Sequence, residues 1–148
     1  MSEIETALFG DYHVTPTHTA MKEAMDLFPR YGDYQEVRRH ALKLAFWPKR
    51  TVVGVGGMVG DLDWEEIKGM NGPKACELRI DDVIGGFNNL RLIFYAFEKD
   101  VIIDGDVMPR IWVISIMQKK TERFSNANLR IFSARVKIIR QRKYADYL

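Results

Sequence analysis

The chain has 148 residues, 47% hydrophobic and 28% charged, a composition that excludes a disordered chain and fits one globular domain. The net charge is only +2, yet residues 107–148 carry ten Lys and Arg against two acidic residues, and residues 1–106 carry a net −6. The basic end is therefore the predicted side for a nucleic acid or an acidic partner. A single cysteine excludes an intramolecular disulfide and a cysteine-rich zinc site, which favours a reducing, cytoplasmic compartment. There is no secretory signal and no run of about 18 apolar residues, so we expect no membrane helix.

The first part of the chain predicts a strand and a helical hairpin. Residues 8–15 have the composition of a short strand. Apolar residues at helical spacing then predict helices over 19–28 and 34–46, each ended by a proline. Asp33, three residues before Glu36, predicts a capping box at the start of the second helix. The short loop between the helices predicts antiparallel packing.

A glycine-rich segment follows at residues 51–60. Gly54, Gly56 and Gly60 imitate a dinucleotide-binding fingerprint, but that motif needs a preceding strand and a following helix of a βαβ unit. Because this context is missing, the segment favours a loop or a strand edge, inserted into the domain.

The second part of the chain predicts a three-stranded antiparallel meander. The strands are expected at 75–82, 90–98 and 110–117, with a hairpin turn at 85–89 and a loop excursion near 99–109. The middle strand is apolar on both faces apart from one arginine, as in the centre of a sheet.

A final helix is expected from Ser125, as N-cap, into the region 140–143. Its buried stripe consists of Leu129, Phe132, Val136 and Ile139. The whole order predicts one α+β domain over residues 1–148, with the helices on one face of a small sheet and the other face open to a ligand.

Metal and nucleophile chemistry find little support in the sequence. His13, His18 and His40 share no ligand spacing, and residues 100–106 do not reproduce a calcium loop. No serine or cysteine nucleophile motif is present. We therefore expect neither a metal nor a cofactor.

Basic side chains are the better candidates for function. If the three strands are neighbours, Arg79, Arg91 and the lysines at 119 and 120 converge, followed by Arg123. Clustered cations need counter-charges or a polyanion such as a nucleic-acid backbone. The alternative for Arg79 is an ion pair with Asp81 or another nearby carboxylate.

Aromatic residues could add stacking surfaces for unpaired bases. The candidates are Tyr95, Phe97, Trp112 and Phe124. The alternative is that those in apolar strands belong to the core. The basic final helix is either an ordinary solvated face or a partner surface, with Ile131 and Ile138 as a second apolar strip.

Five segments together resemble the RelE/ParE toxin superfamily, and within it the phage-derived, HigB-like branch. They are Tyr-His-Val-Thr-Pro at 12–16, Ile-Lys-Gly at 67–69, Ala-Cys-Glu-Leu-Arg-Ile at 75–80, Leu-Arg-Leu-Ile-Phe-Tyr at 90–95, and the strand with its closing Lys-Lys-Thr at 111–121. The resemblance implies a RelE-like fold and a small cytoplasmic toxin that inhibits growth and is neutralised by a cognate helix-turn-helix antitoxin. Many members are metal-independent endonucleases that cut messenger RNA on the ribosome (mRNA interferases).

The resemblance also implies roles for individual residues. Arg79 and Arg91 match positions that hold the phosphate, and Lys119 or Lys120 matches the basic residue that stabilises the phosphorane or protonates the leaving group. RNA binding would involve four further residues: Arg123, Phe124, Arg130 and Tyr95.

Two positions depart from the family pattern. Phe124 stands near the place of a tyrosine or histidine, and Glu77 stands where some members have a lysine. The general base would then be Glu77 or Tyr95. The alternatives are a non-nucleolytic toxin of the ParE type, which acts on gyrase, and a phage-derived nucleic-acid or partner-binding module. Homo-oligomers and complexes with the antitoxin both remain open.

Overall fold

The computed structural model describes residues 10–53, 59–103 and 106–142, with the backbone alone at 51–53, 59–61, 98–103, 106–108 and 142. The elements in chain order are β1 (His13–Pro16), α1 (His18–Leu27), α2 (Tyr31–Leu42), a 3-10 helix (Lys43–Phe46), β2 (Thr51–Val53), β3 (Val59–Asp61), β4 (Trp64–Glu66), β5 (Cys76–Ile80), β6 (Leu90–Ile103), β7 (Asp106–Gln118) and α3 (Asn126–Arg142).

Five strands form one mixed sheet in the order β1-β7-β6-β5-β4, and β2 pairs with β3 separately. The predicted α+β class and the β5-β6-β7 meander are confirmed. The prediction of a purely antiparallel sheet is wrong at β1, which runs parallel to β7 from His13 opposite Arg110 to Pro16 opposite Val113. A parallel pair needs a long connection, and β1 is separated from β7 by the helical hairpin and five strands.

Helices cover both faces of the sheet, so the prediction of helices on one face is wrong. The hairpin of α1 and α2 packs on the face that contains Leu92 and Phe94 of β6. On the other face, Phe132 of α3 packs with Ile93 and Tyr95. Because β6 is apolar on both sides from Leu92 to Phe97, each side needs its own cover, and the face expected to be open is largely filled by α3.

Capping side chains define two of the helix starts. Thr17 Oγ1 accepts from the Ala20 backbone N–H at 3.1 Å at α1. Ser125 Oγ accepts from the Asn128 N–H at 3.1 Å, which confirms the predicted N-cap of α3. The prediction of a capping box at Asp33 is wrong, because α2 begins at Tyr31 and Asp33 lies in its first turn. A carboxylate in that turn still interacts favourably with the helix dipole.

Strand limits differ from expectation at three places. The prediction of a loop at 99–109 is wrong, because β6 extends to Ile103 and β7 begins at Asp106. The two strands form one long antiparallel pair with a register shift between Phe97 and Asp100. The first strand occupies 13–16 rather than 8–15, of which 8 and 9 lie outside the described residues. The glycine-rich segment was expected to be a loop or a strand edge, and it contains the strands β2 and β3. Residues 54–58 lie outside the described residues.

An ion pair joins the two helical layers beside β7, just beyond Val113, where its pairing with β1 ends and β7 becomes the edge of the sheet. At Ile114 the β6–β7 ladder has a bulge, and the Ile114 carbonyl accepts from Arg135 Nη1 of α3 at 2.7 Å. The same nitrogen donates to Glu23 Oε1 of α1 at 2.9 Å, and Ser115 Oγ donates to that oxygen at 2.9 Å. We call Glu23, Arg135 and the Ile114 carbonyl the edge clamp.

Candidate functional site

Three charged side chains meet on the α3 face of the sheet. Glu77 Oε1 accepts from Arg91 Nε at 3.1 Å and from Lys119 Nζ at 3.3 Å. Glu77 comes from β5, Arg91 from β6, and Lys119 directly follows β7. We call these three residues the charge cluster.

The strand register explains why Glu77 is the partner of Arg91. Arg79 lies directly opposite Arg91, and Glu77 lies opposite Ile93, two residues further along. Like charges opposite each other are unfavourable, so each arginine takes a carboxylate. Arg91 takes the diagonal Glu77, and Arg79 takes Asp63 at 3.7 Å. The alternative that Arg79 pairs with a nearby carboxylate is therefore confirmed, with Asp63 rather than Asp81.

Lys119 is held in place by the turn before β6. Its backbone N–H donates to the Asn89 carbonyl at 2.8 Å, and Gln118 Nε2 donates to Asn88 Oδ1 at 2.7 Å. Asn89 has a φ of 50°, a left-handed conformation that asparagine tolerates better than most residues. The ammonium of Lys119 lies 4.5 Å from the centre of the Phe124 ring, within cation–π distance.

Burial makes the loss of any one partner in the charge cluster costly. Arg91 is 7% exposed and Glu77 is 9% exposed, so both charges are largely removed from water. A charge in such a place needs a partner, because losing one leaves an uncompensated buried charge. The Arg91 guanidinium also donates from Nη1 to the Leu90 carbonyl at 3.1 Å. With two cations on one carboxylate, the charge cluster keeps a net positive charge.

Other predicted site residues stand outside the charge cluster. Lys120, Arg123 and Arg130 are exposed, and in the part of the chain that the structure describes Glu77 has its hydrogen bonds with Arg91 and Lys119. Alternation at the strand end separates the two lysines, so that only Lys119 turns toward Glu77. Phe124 is partly buried, and its ring meets Phe132 edge-on at 5.3 Å.

Tyr95, a predicted stacking surface for a base, lies in the core beneath α3, as the alternative held. Tyr95 is 8% exposed, and its hydroxyl accepts from Arg140 Nη1 at 2.8 Å. Phe97 is 6% exposed and belongs to the same core, as the alternative held. Trp112 is partly buried, with the Arg110 guanidinium 4.9 Å from its ring. The α3 helix covers this side of β6, which hydrophobic pattern alone did not reveal.

Glu77 lies at the centre of the cations. The sequence indicated it only through its departure from the family pattern, as one of two candidates for the general base. Its alternation with Arg79 along β5 was the available signal. Asp63 gave no signal, because its position depends on the pairing of β4 with β5.

Two cavities lie away from the charge cluster. One of about 150 Å³ is apolar and lies between the helical hairpin and the sheet. The other, a groove of about 520 Å³, is lined by Trp47, Trp64, Tyr95 and Arg140 among others. Neither of these two is lined by a residue of the charge cluster.

Titratable groups elsewhere have shifted pKa values. Burial raises the pKa of the Cys76 thiol to about 12, and the nearby Glu66 and Glu77 add to the shift. Burial also lowers the pKa of His40 below 6.5, against the opposing effect of Asp82. Cys76 is thus poorly suited to be a nucleophile.

Within the described ranges, no three His, Cys, Asp or Glu side chains are grouped so that they could hold a metal ion. In the same part of the chain, no helix has the length and apolar character needed to cross a membrane.

Comparison of the chain with protein-family models, with curated proteins and with solved structures gives no match.

Proposed function

We propose that the chain is the toxin of a type II toxin–antitoxin pair, a metal-independent endonuclease that cuts messenger RNA on the ribosome. The charge cluster carries this proposal, because it combines a carboxylate with a guanidinium and an ammonium within 3.3 Å. RNA cleavage needs a proton acceptor, cations beside the phosphate and a proton donor, and these three groups supply that set.

The reaction would begin when a phosphate takes over part of the contact between Glu77 and its two cations. The carboxylate would then accept the proton of the ribose 2′-hydroxyl, whose oxygen attacks the adjacent phosphorus. Arg91, with Arg79 at the exposed rim, would hold the phosphate, and Lys119 would donate a proton to the departing 5′-oxygen. The P–O5′ bond breaks, which leaves a 2′,3′-cyclic phosphate and a 5′-hydroxyl.

The test is inducible expression in a bacterial host, with growth and RNA 5′ ends measured after a brief induction. We expect growth arrest and new 5′-hydroxyl ends within translated messages. Lys119→Ala should relieve the arrest and lower cleavage at least about a hundredfold, the effect typical of losing a positioned proton donor. Glu77→Gln tests the proton acceptor in the same way.

Lys120→Ala is the matched control, since it removes the same charge one residue away from the charge cluster. Circular dichroism of each purified variant separates loss of folding from loss of cleavage. Full toxicity of a folded Lys119→Ala protein would refute the proposed site. Rescue by the product of a neighbouring gene with a helix-turn-helix pattern would identify the antitoxin.

A second candidate is a non-nucleolytic protein that inhibits gyrase or binds a nucleic acid or protein partner. The observation that favours it is the engagement of both cluster cations by Glu77, which leaves less charge for a phosphate. DNA damage with intact messages would support gyrase inhibition. No growth defect at all would support the binding module.

A further inference from the structure

The outward face of α3 carries an apolar strip at coiled-coil spacing. Ala127, Ile131, Ala134 and Ile138 succeed one another at intervals of four, three and four residues, and all are exposed. Ile131 is 45% exposed and Ile138 is 49% exposed, and both are among the large apolar side chains that the fold leaves uncovered. This outer strip is separate from the buried stripe, which packs on the sheet. An apolar row at this spacing is the pattern with which one helix binds another.

Charge flanks the outer strip on one side without local compensation. The segment 126–142 holds five Lys and Arg and no Asp or Glu. Arg135 is held in the edge clamp and Arg140 donates to Tyr95. Arg130 and Lys137, which immediately precede the two isoleucines, are exposed and form no ion pair within the described part of the chain.

We propose that the outer strip binds an acidic amphipathic α-helix of another protein. The isoleucines would pack against the apolar side of that helix, and its flanking carboxylates would pair with Arg130 and Lys137. This inference depends on α3 alone, and it holds whether or not the chain cuts RNA.

Charge argues against the two other occupants. A second copy would bring Arg130 and Lys137 against cations of the same kind, in either helix orientation, and like charges across such a seam are unfavourable. A nucleic acid would satisfy the cations but would leave Ile131 and Ile138 without an apolar partner. An acidic helix satisfies both features.

The experiment measures binding of two fluorescent three-heptad peptides to the full chain by anisotropy. Both peptides have leucine at the core positions, and one has glutamate where the other has lysine beside the core. We expect micromolar binding of the glutamate peptide and at least about tenfold weaker binding of the lysine peptide. The double variant Ile131→Ser/Ile138→Ser should bind the glutamate peptide at least about tenfold more weakly than the natural chain does.

Val83→Ser is the matched control, because Val83 is 65% exposed and lies outside α3. It should leave peptide binding unchanged. The isoleucine variants should also keep any RNA cleavage, so failure here is distinct from failure of the proposed function. Equal binding of the two peptides would overturn the inference. Dimers in sedimentation velocity that the isoleucine variants abolish would assign the strip to a second copy and overturn it as well. An RNA oligonucleotide whose binding needs Arg130 and Lys137 but not the isoleucines would assign it to nucleic acid.

Discussion

One oxygen atom, Oε1 of Glu77, receives hydrogen bonds from two cations that belong to different strands. Such sharing makes Glu77 part of the fold as well as of the proposed chemistry, since Arg91 and Lys119 both lose a partner if it is removed. For this reason glutamine, which keeps the shape and one acceptor oxygen, is a better test of chemistry than alanine.

The neighbouring residue Cys76 allows a second test at the scale of single side chains. Its thiol has a pKa of about 12 against 9.0 for an ordinary cysteine, so near pH 8 the reactive thiolate is about a thousandfold rarer. We expect iodoacetamide to alkylate the folded chain far more slowly than the chain in urea, measured by mass spectrometry. Because the chain has one cysteine, each mass shift reports this site.

Glutathione in the same reaction serves as the control for reagent activity. Equal alkylation rates with and without urea would contradict the described burial of Cys76.

At the scale of elements, the edge clamp connects α1, β7 and α3. Arg135→Ala removes the donor for the Ile114 carbonyl and for the Glu23 carboxylate. Since both side chains are partly exposed, we expect a loss of about 1–2 kcal/mol in the free energy of unfolding. Urea denaturation measures it.

Lys137→Ala serves as the control for the clamp, because it removes an exposed cationic side chain from the same helix. Similar urea midpoints for the two variants would show that the clamp adds no stability.

The elements also show which features a single sequence can predict. The N-cap and buried stripe of α3 depend on residues a few positions apart, so Ser125 and the helical period were sufficient to predict them. The parallel pairing of β1 with β7 depends on contacts between residues about a hundred positions apart. The cover by α3 likewise depends on contacts between separate elements, such as that of Phe132 with Ile93. No local pattern encodes those contacts.

The charge cluster divides in the same way. The resemblance indicated Arg91 and a lysine after the last strand, which the structure brings together around Glu77. The resemblance did not distinguish Lys119 from Lys120, because only the structure shows which of the two lysines lies on the same side of the sheet as Glu77. The place of Tyr95 in the core could not be predicted, because the position of α3 follows from the assembled sheet.

For the whole molecule, we expect stability to depend on pH through His40. Its Nε2 lies 3.1 Å from Asp82 Oδ2, which links α2 to the segment after β5. Burial, aided by Lys43, lowers the pKa of His40 below 6.5, while Asp82 and Glu36 oppose the shift. The unfolded chain therefore binds the proton more readily than the folded one. Neutral His40 therefore contributes fully to the free energy of unfolding above pH 6.5. This contribution is lost as the pH falls from 6.5 through the pKa of His40 in the folded state.

Thermal unfolding between about pH 5 and pH 8 tests this expectation, since the range brackets the ordinary histidine pKa. The melting temperature of the natural chain should fall more steeply below pH 6.5 than that of His40→Gln. His18→Gln, which removes an exposed imidazole at the start of α1, is the control. Parallel curves for the natural chain and His40→Gln would contradict the pKa shift.

The pairing of β1 with β7 has a consequence for the order in which a ribosome makes the protein. The helical hairpin is synthesised early, but its apolar side packs against Ile111, Val113 and Ile116 of β7, and β1 pairs with residues 110–113 of the same strand. Lys119 completes the charge cluster only after those residues. Contacts so distant along the chain form late and slowly. A growing chain thus has neither its finished sheet nor its assembled cluster until Lys119 has been added, so a destructive activity at this site would require the whole sheet before it.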